Sequence, residues 1–73
     1  MVISMQTGVV KSFSINSKYG FIKPDDVNLK DVFFHLSALK KSGIEDIKKD
    51  QKVQYQLNIK KTKVFASNIK IID

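Results

Sequence analysis

Ser17-Lys18-Tyr19-Gly20-Phe21-Ile22-Lys23 and Asp31-Val32-Phe33-Phe34-His35-Leu36-Ser37 decide how this chain folds. At a strand's period of two, Tyr19, Phe21 and Lys23 share one face of the first segment, while Asp31, Phe33, His35 and Ser37 share one face of the second. Val32, Phe34 and Leu36 form the inward set of the second segment, and Ile22 takes the inward parity of the first. Each outer face therefore mixes rings with polar groups. Core burial does not explain that mixture, whereas unpaired nucleobases stack on such surfaces. The bland alternative is that Tyr19, Phe21 and Phe33 cover core and that His35 is structural. Because the inward parity is already filled, exposed stacking rings are favoured, with His35 as a stacking ring and hydrogen-bond donor rather than a metal ligand. The ligand so implied is single-stranded nucleic acid.

Five strand-like runs extend outward from this pair. The first covers about Gln6 to Ser14, with Val9, Val10 and Phe13 as β-formers, and breaks at Ser14-Ile15-Asn16-Ser17. Val9 and Val10 cannot both face inward without a bulge, so Phe13 is open to either core or face. The second runs from Lys18 to Lys23 and is closed by Pro24-Asp25-Asp26. The third is Asp31 to Leu36. Ser37 is expected to cap one helical turn through Lys41, with Gly43 ending it and Ile44 and Ile47 pinning a long connection. In the fourth strand Val53, Tyr55, Leu57 and Ile59 are expected to face the core and alternate with Lys52, Gln54, Gln56, Asn58 and Lys60 on a wet face. Lys60-Lys61-Thr62-Lys63 turns into the fifth, Val64 to Ile72, with Ile69 and Ile71 inward. Phe65 shares their parity, so core is its favoured reading, although its place beside the lysine turn keeps it a binding candidate with Lys63. The fold class is all-β: a five-stranded antiparallel OB-fold-like barrel with a long loop between strands three and four. In such barrels the second and third strands carry the oligonucleotide-binding face.

Composition narrows the function. The 73 residues make one domain, whose core supplies only about 3 to 5 kcal/mol of net stability. No cysteine is present, so neither a disulfide nor a thiolate metal site supplements it, and a reducing cytoplasm is permitted. Thirteen cations against seven acids give a net charge of +6 and a pI near 9.7, which favours polyanions. A membrane is the weaker partner: no apolar run approaches a spanning helix, and the start lacks the pattern of a signal peptide. Every cation is a lysine, a point charge suited to phosphate rather than the planar fork that reads bases, so sequence preference should be modest. A biased genome or a solvated surface accounts for any single lysine equally well. The aggregate excess is harder to dismiss.

Catalysis finds no support. Asp31, His35 and Ser37 project in parallel from one strand, with no oxyanion donors implied. Asp25-Asp26 reads as a turn rather than a metal pair, and three glycines build no phosphate loop. No catalytic residue, metal or cofactor is expected.

Taken together, Gly8-Val9-Val10-Lys11-Ser12-Phe13, Tyr19-Gly20-Phe21-Ile22 followed by Pro24-Asp25, Asp31 to Ala38, Gly43, Gln51-Lys52-Val53 and Ala66-Ser67-Asn68-Ile69 make a chain that resembles the bacterial cold-shock proteins from Thr7 to Ile71. The resemblance implies a five-stranded OB-like barrel that binds single-stranded RNA and DNA as an RNA chaperone, melting weak secondary structure and influencing transcription and translation. It makes Tyr19, Phe21 and Phe33 the base-stacking rings and His35 the stacking histidine. Lys11 matches a phosphate-contacting lysine, Phe13 the aromatic ending the first strand, and Lys18 stands beside Ser17, where the family has a lysine. Met5 lies closer to the usual family start than Met1, which marks the first residues, up to Met5 at most, as a disordered extension or a misassigned start.

The departures are Ser12 for the family's tryptophan, and Leu36 and Ile44 for two further aromatics. Each lost stacking ring removes roughly 1 to 3 kcal/mol, or about 5- to 150-fold in affinity. Lys63-Val64 stands in place of a Gly-Pro turn, and Asp50 in place of a glycine suited to a left-handed turn. Many bacterial relatives are acidic and this chain is basic, so part of its binding energy is expected to come from electrostatics rather than stacking. The runner-up reading is a protein-docking or ribosome-associated OB module with weak nucleic-acid binding. A cytoplasmic monomer is expected in either case.

Overall fold

Strands fill this chain wherever apolar residues alternate, and they close on themselves. The computed structural model describes residues 4–72, with β1 (Ser4–Ser14), β2 (Tyr19–Pro24), β3 (Val32–His35), α1 (Leu36–Lys41), β4 (Lys52–Lys60) and β5 (Lys63–Ile71). They form a closed barrel in the order β1-β2-β3-β5-β4, with β4 returning to β1. A closed ring of an odd number of strands cannot alternate direction throughout. The exception falls at β3 and β5, which pair in parallel through Phe33 and Phe65, while the other four junctions are antiparallel.

Val10, Ile22, Val32, Phe34, Leu39, Ile47, Val53, Tyr55, Ala66 and Ile69 are buried and make the core. Burial of such apolar side chains is the main favourable contribution to folding, at about 25 cal/mol for each Å² removed from water. Ser4 and Met5 already pair with Leu57 and Gln56, so the barrel begins before the expected first strand. The rest of the expected extension, 1–3, lies outside the described residues.

Two bulges decide which residues face in. In β1 the register shifts between Val10 and Ser12, so Lys11 is the extra residue. Val10 and Phe13 then both face inward despite their odd spacing. In β5 Gln54 pairs with Lys70 but Gln56 with Ser67, and Asn68 between them takes a left-handed φ of 50°. Parity reverses there. Ala66 and Ile69 are the buried residues, and Phe65, expected to share the side of Ile69, is turned to the other one.

Three further expectations are corrected. Ile59 is 71% exposed rather than inward, because described β1–β4 pairing begins at Ser4 and Leu57 and the β4–β5 hairpin runs on past it. The helix cap is His35, not Ser37: the His35 Nδ1 accepts from the Ser37 backbone N–H at 3.0 Å. Pro24 belongs to β2, opposite Gly8, and the ladder ends with Asp25 N–H donating to the Thr7 carbonyl at 3.0 Å. Gly43 does follow the helix, at a φ of 75°, and Ile44 and Ile47 anchor the connection.

Candidate nucleic-acid interface

Strict alternation in β2 and β3 sends one aromatic set inward and the other out. Phe34 is fully buried, whereas Phe33 is half-buried on the outer face, across from Phe21, and Tyr19 lies across from His35. The outer rings touch: centroids lie 5.6 Å apart for Tyr19 and Phe33, 6.0 Å for Tyr19 and Phe21, and 6.1 Å for Phe21 and Phe33. Edge and tilted packing of this kind holds each ring while leaving part of its surface to solvent. Tyr19 is 42% exposed.

Gly20 lets the face lie this close to its neighbours. A Cβ there would stand 2.3 Å from the Ser12 carbonyl oxygen and 2.6 Å from the Phe34 ring. Phe13 presses on the same interior, stacked on Phe34 with centroids 5.8 Å apart and planes 12° apart. Of the two readings open for Phe13 the structure shows core packing: the bulge at Lys11 turns the half-buried ring toward the core rather than into the cluster of Tyr19, Phe21 and Phe33.

The predicted lysines divide. Lys11 Nζ donates to Asp31 Oδ2 at 2.6 Å in an exposed ion pair that contributes at most about 1 kcal/mol, so a phosphate competes for it at little cost. Lys18 adopts a left-handed φ of 68°, and its carbonyl accepts from the Leu36 N–H at 2.8 Å, tying the β1–β2 turn to the end of β3. Lys18 lines a concavity with His35, Ser37 and Lys40. Lys63 and Phe65 stand at the far side of Phe33. Sequence reasoning missed Lys40 and Lys41, which end α1 beside His35; the doubled lysine closing a helical turn was the available signal.

The His35 ring is held by Ser37: Nδ1 accepts from the Ser37 N–H at 3.0 Å and lies 3.1 Å from Ser37 Oγ. The ring is exposed beside Tyr19, its cross-strand partner.

The three expected losses differ in kind. Ser12 is exposed next to Phe21, leaving the β1 end of the face without a ring. Leu36 and Ile44 pack partly against the core and bound a shallow concavity with Ile15 and Lys40.

Comparison with known proteins gives this barrel a family. Residues 6–72 match the family described as the 'Cold-shock' DNA-binding domain. This chain belongs to that family. A cold shock protein of Sinorhizobium fredii is 42% identical over 67 residues, covering 89% of this chain and 96% of that protein. Cold shock protein CspA of Rhizobium meliloti is 38% identical over 68 residues, covering 90% and 97%. The major cold shock protein of Micrococcus luteus is 34% identical over 65 residues, covering 89% and 96%. Cold-shock domains are nucleic-acid-binding modules and not enzymes. Among the described residues, no helix is long and apolar enough to cross a membrane, and no group of three or more histidine, cysteine or acidic residues is placed to hold a metal ion.

Proposed function

We propose that this cold-shock domain binds single-stranded RNA or DNA and acts as a cytoplasmic, monomeric RNA chaperone. Bases stack on Tyr19, Phe21, Phe33 and His35, and Lys11 and Lys18 attract the phosphates. The observation that carries this reading is the outer cluster of three mutually touching rings, which the core does not require. Stacking accepts every base, and lysine adds charge without a bidentate fork, so weak sequence preference and reversible binding follow. Reversible binding without strong sequence choice suits a chaperone that traps transiently unpaired segments. With Ser12 in place of a ring, electrostatics supplies a larger share of the affinity, and each phosphate neutralised adds about 0.7 to the log-log salt slope.

Titration of a labelled oligonucleotide at several salt concentrations tests this. Affinity should fall steeply with salt and should collapse in Phe21→Ala/Phe33→Ala. Unchanged affinity in the double variant would refute the platform, and a flat salt response would remove the electrostatic share. A second reading, protein docking, draws on an apolar groove of about 390 Å³ beside exposed Leu29, Ile59 and Val64. Binding of a protein that competitor oligonucleotides leave undisturbed would favour it.

A further inference from the structure

The strand pairings place one residue from each strand in a single row across the barrel. Ser12 pairs with Phe21, Phe21 with Phe33, Phe33 with Phe65, and Phe65 with Asn58. Neighbouring strands lie about 4.8 Å apart, so the row has three phenylalanines at a spacing comparable to ring-to-ring contacts. Its β1 end carries no ring. Its β5 end does.

Phe65 is set apart from the three-ring cluster. Two concavities flank it, and Phe33 and Phe65 border both. One, of about 360 Å³, is completed by Lys63 and Val64; the other, of about 170 Å³, by His35, Ser37, Lys41 and Ser67 among others. The floor beneath Phe65 is rigid. Asn58 Nδ2 donates to the Gln56 carbonyl at 3.0 Å and to Ser67 Oγ at 2.7 Å, locking β4 to β5 around the ring. The lysines of the hairpin, Lys60, Lys61 and Lys63, all exposed, stand at the open end of the larger concavity's strand. A half-buried ring on a rigid strand, next to a gap and a free-standing cation, has the parts of a stacking site with its phosphate contact.

The geometry points to a further nucleotide subsite on the β3–β5 seam, in which a base of single-stranded nucleic acid stacks on Phe65 and Lys63 holds its phosphate. The binding platform is thereby displaced by one strand, away from Ser12 and toward the β4–β5 hairpin. This inference rests on the proposal that Tyr19, Phe21 and Phe33 stack bases. It assigns the end of the footprint, and it makes binding depend on ligand length in a way that the three-ring cluster alone does not.

The chain has no tryptophan, so a single indole reports on its own position. Phe65→Trp and Phe21→Trp are each titrated with thymidine oligonucleotides of increasing length. The Phe21→Trp emission should be quenched at every length that binds, and the Phe65→Trp emission only once the oligonucleotide extends past the cluster. In parallel, Phe65→Leu, which keeps an apolar side chain, should lose about 5- to 150-fold in affinity for long oligonucleotides and nothing for the shortest, with Phe65→Tyr restoring it. Lys63→Gln should lower the log-log salt slope by about 0.7 for long ligands only. Phe65→Trp emission that ignores every oligonucleotide while Phe21→Trp responds would overturn the seam subsite and leave the platform standing. If neither responds, the platform itself fails.

Discussion

The two faces of the β2–β3 ribbon are built from the same residue types and do opposite work. Inward, Ile22, Val32 and Phe34 are almost completely excluded from water, with Phe13 stacked behind them. Outward, Tyr19, Phe21 and Phe33 hold one another at the surface, and the exposed His35 caps a helix through Nδ1. Consecutive residues Phe33 and Phe34 face opposite sides of the sheet. The comparison shows that aromatic content says nothing about role until parity is known.

The largest expected effect tests that division directly. Phe34→Ala removes a fully buried ring at a cost of about 3 to 5 kcal/mol, as much as a domain of this size possesses, and should leave the chain unfolded at 25 °C. Phe33→Ala, one residue away, should fold and lose about 5- to 150-fold in oligonucleotide affinity. Circular dichroism and titration on both variants would collapse the distinction if their effects came out alike.

A smaller effect sharpens the inner side. Tyr55 is fully buried, its hydroxyl has no hydrogen-bond partner among the described residues, and burial pushes its pKa up. Tyr55→Phe should therefore raise stability by about 1 to 3 kcal/mol without touching binding. A lower urea midpoint would show that the hydroxyl is satisfied after all.

The smallest effect lies on neither face. Lys52 and Thr7 hydrogen-bond to Asp25, at 2.7 Å for the threonine hydroxyl, and together hold its pKa below the ordinary 3.8. The charged form is favoured in the folded state, so this contribution is complete above the unfolded value and is lost as pH falls through the lower folded one. Asp25→Asn should flatten the stability curve below about pH 4. Superimposable acid limbs in the two proteins would discard the contact as a source of stability.

How far the sequence could be read followed the regularity of each strand. In β2 and β3 alternation is unbroken, and Ile22, Val32 and Phe34 fall inward and Tyr19, Phe21, Phe33 and His35 outward as expected, whereas Leu36 and Ser37, expected to extend the third strand's two faces, belong to α1. In β1 and β5 one extra residue reverses parity, and neither Lys11 nor Asn68 announces this by its type. Lysine is an ordinary strand-surface residue, and an asparagine tolerates a left-handed φ without requiring one. Those two residues explain why alternation alone leaves Phe13 open between core and face, and why it points Phe65 inward. Ile59 departs from its parity for another reason: its alternation is intact, but the described β1–β4 pairing reaches only Leu57. The lysines of α1 are not legible as neighbours of His35, because their proximity exists only once the chain turns after β3.

The seam at Phe33 and Phe65 has a kinetic consequence. β1–β2, β2–β3 and β4–β5 join neighbours in sequence and can form early, whereas β3–β5 brings distant segments together for a single registered pair. Little is gained there until everything else is in place. With a single registered pair it should be the joint where the ring opens most readily, and its amides should exchange with solvent ahead of those in the longer ladders. An oligonucleotide resting on both phenylalanines would span that joint from outside. It would stabilise the closed ring in proportion to its concentration over Kd, making the ligand a clasp on the barrel as well as its cargo.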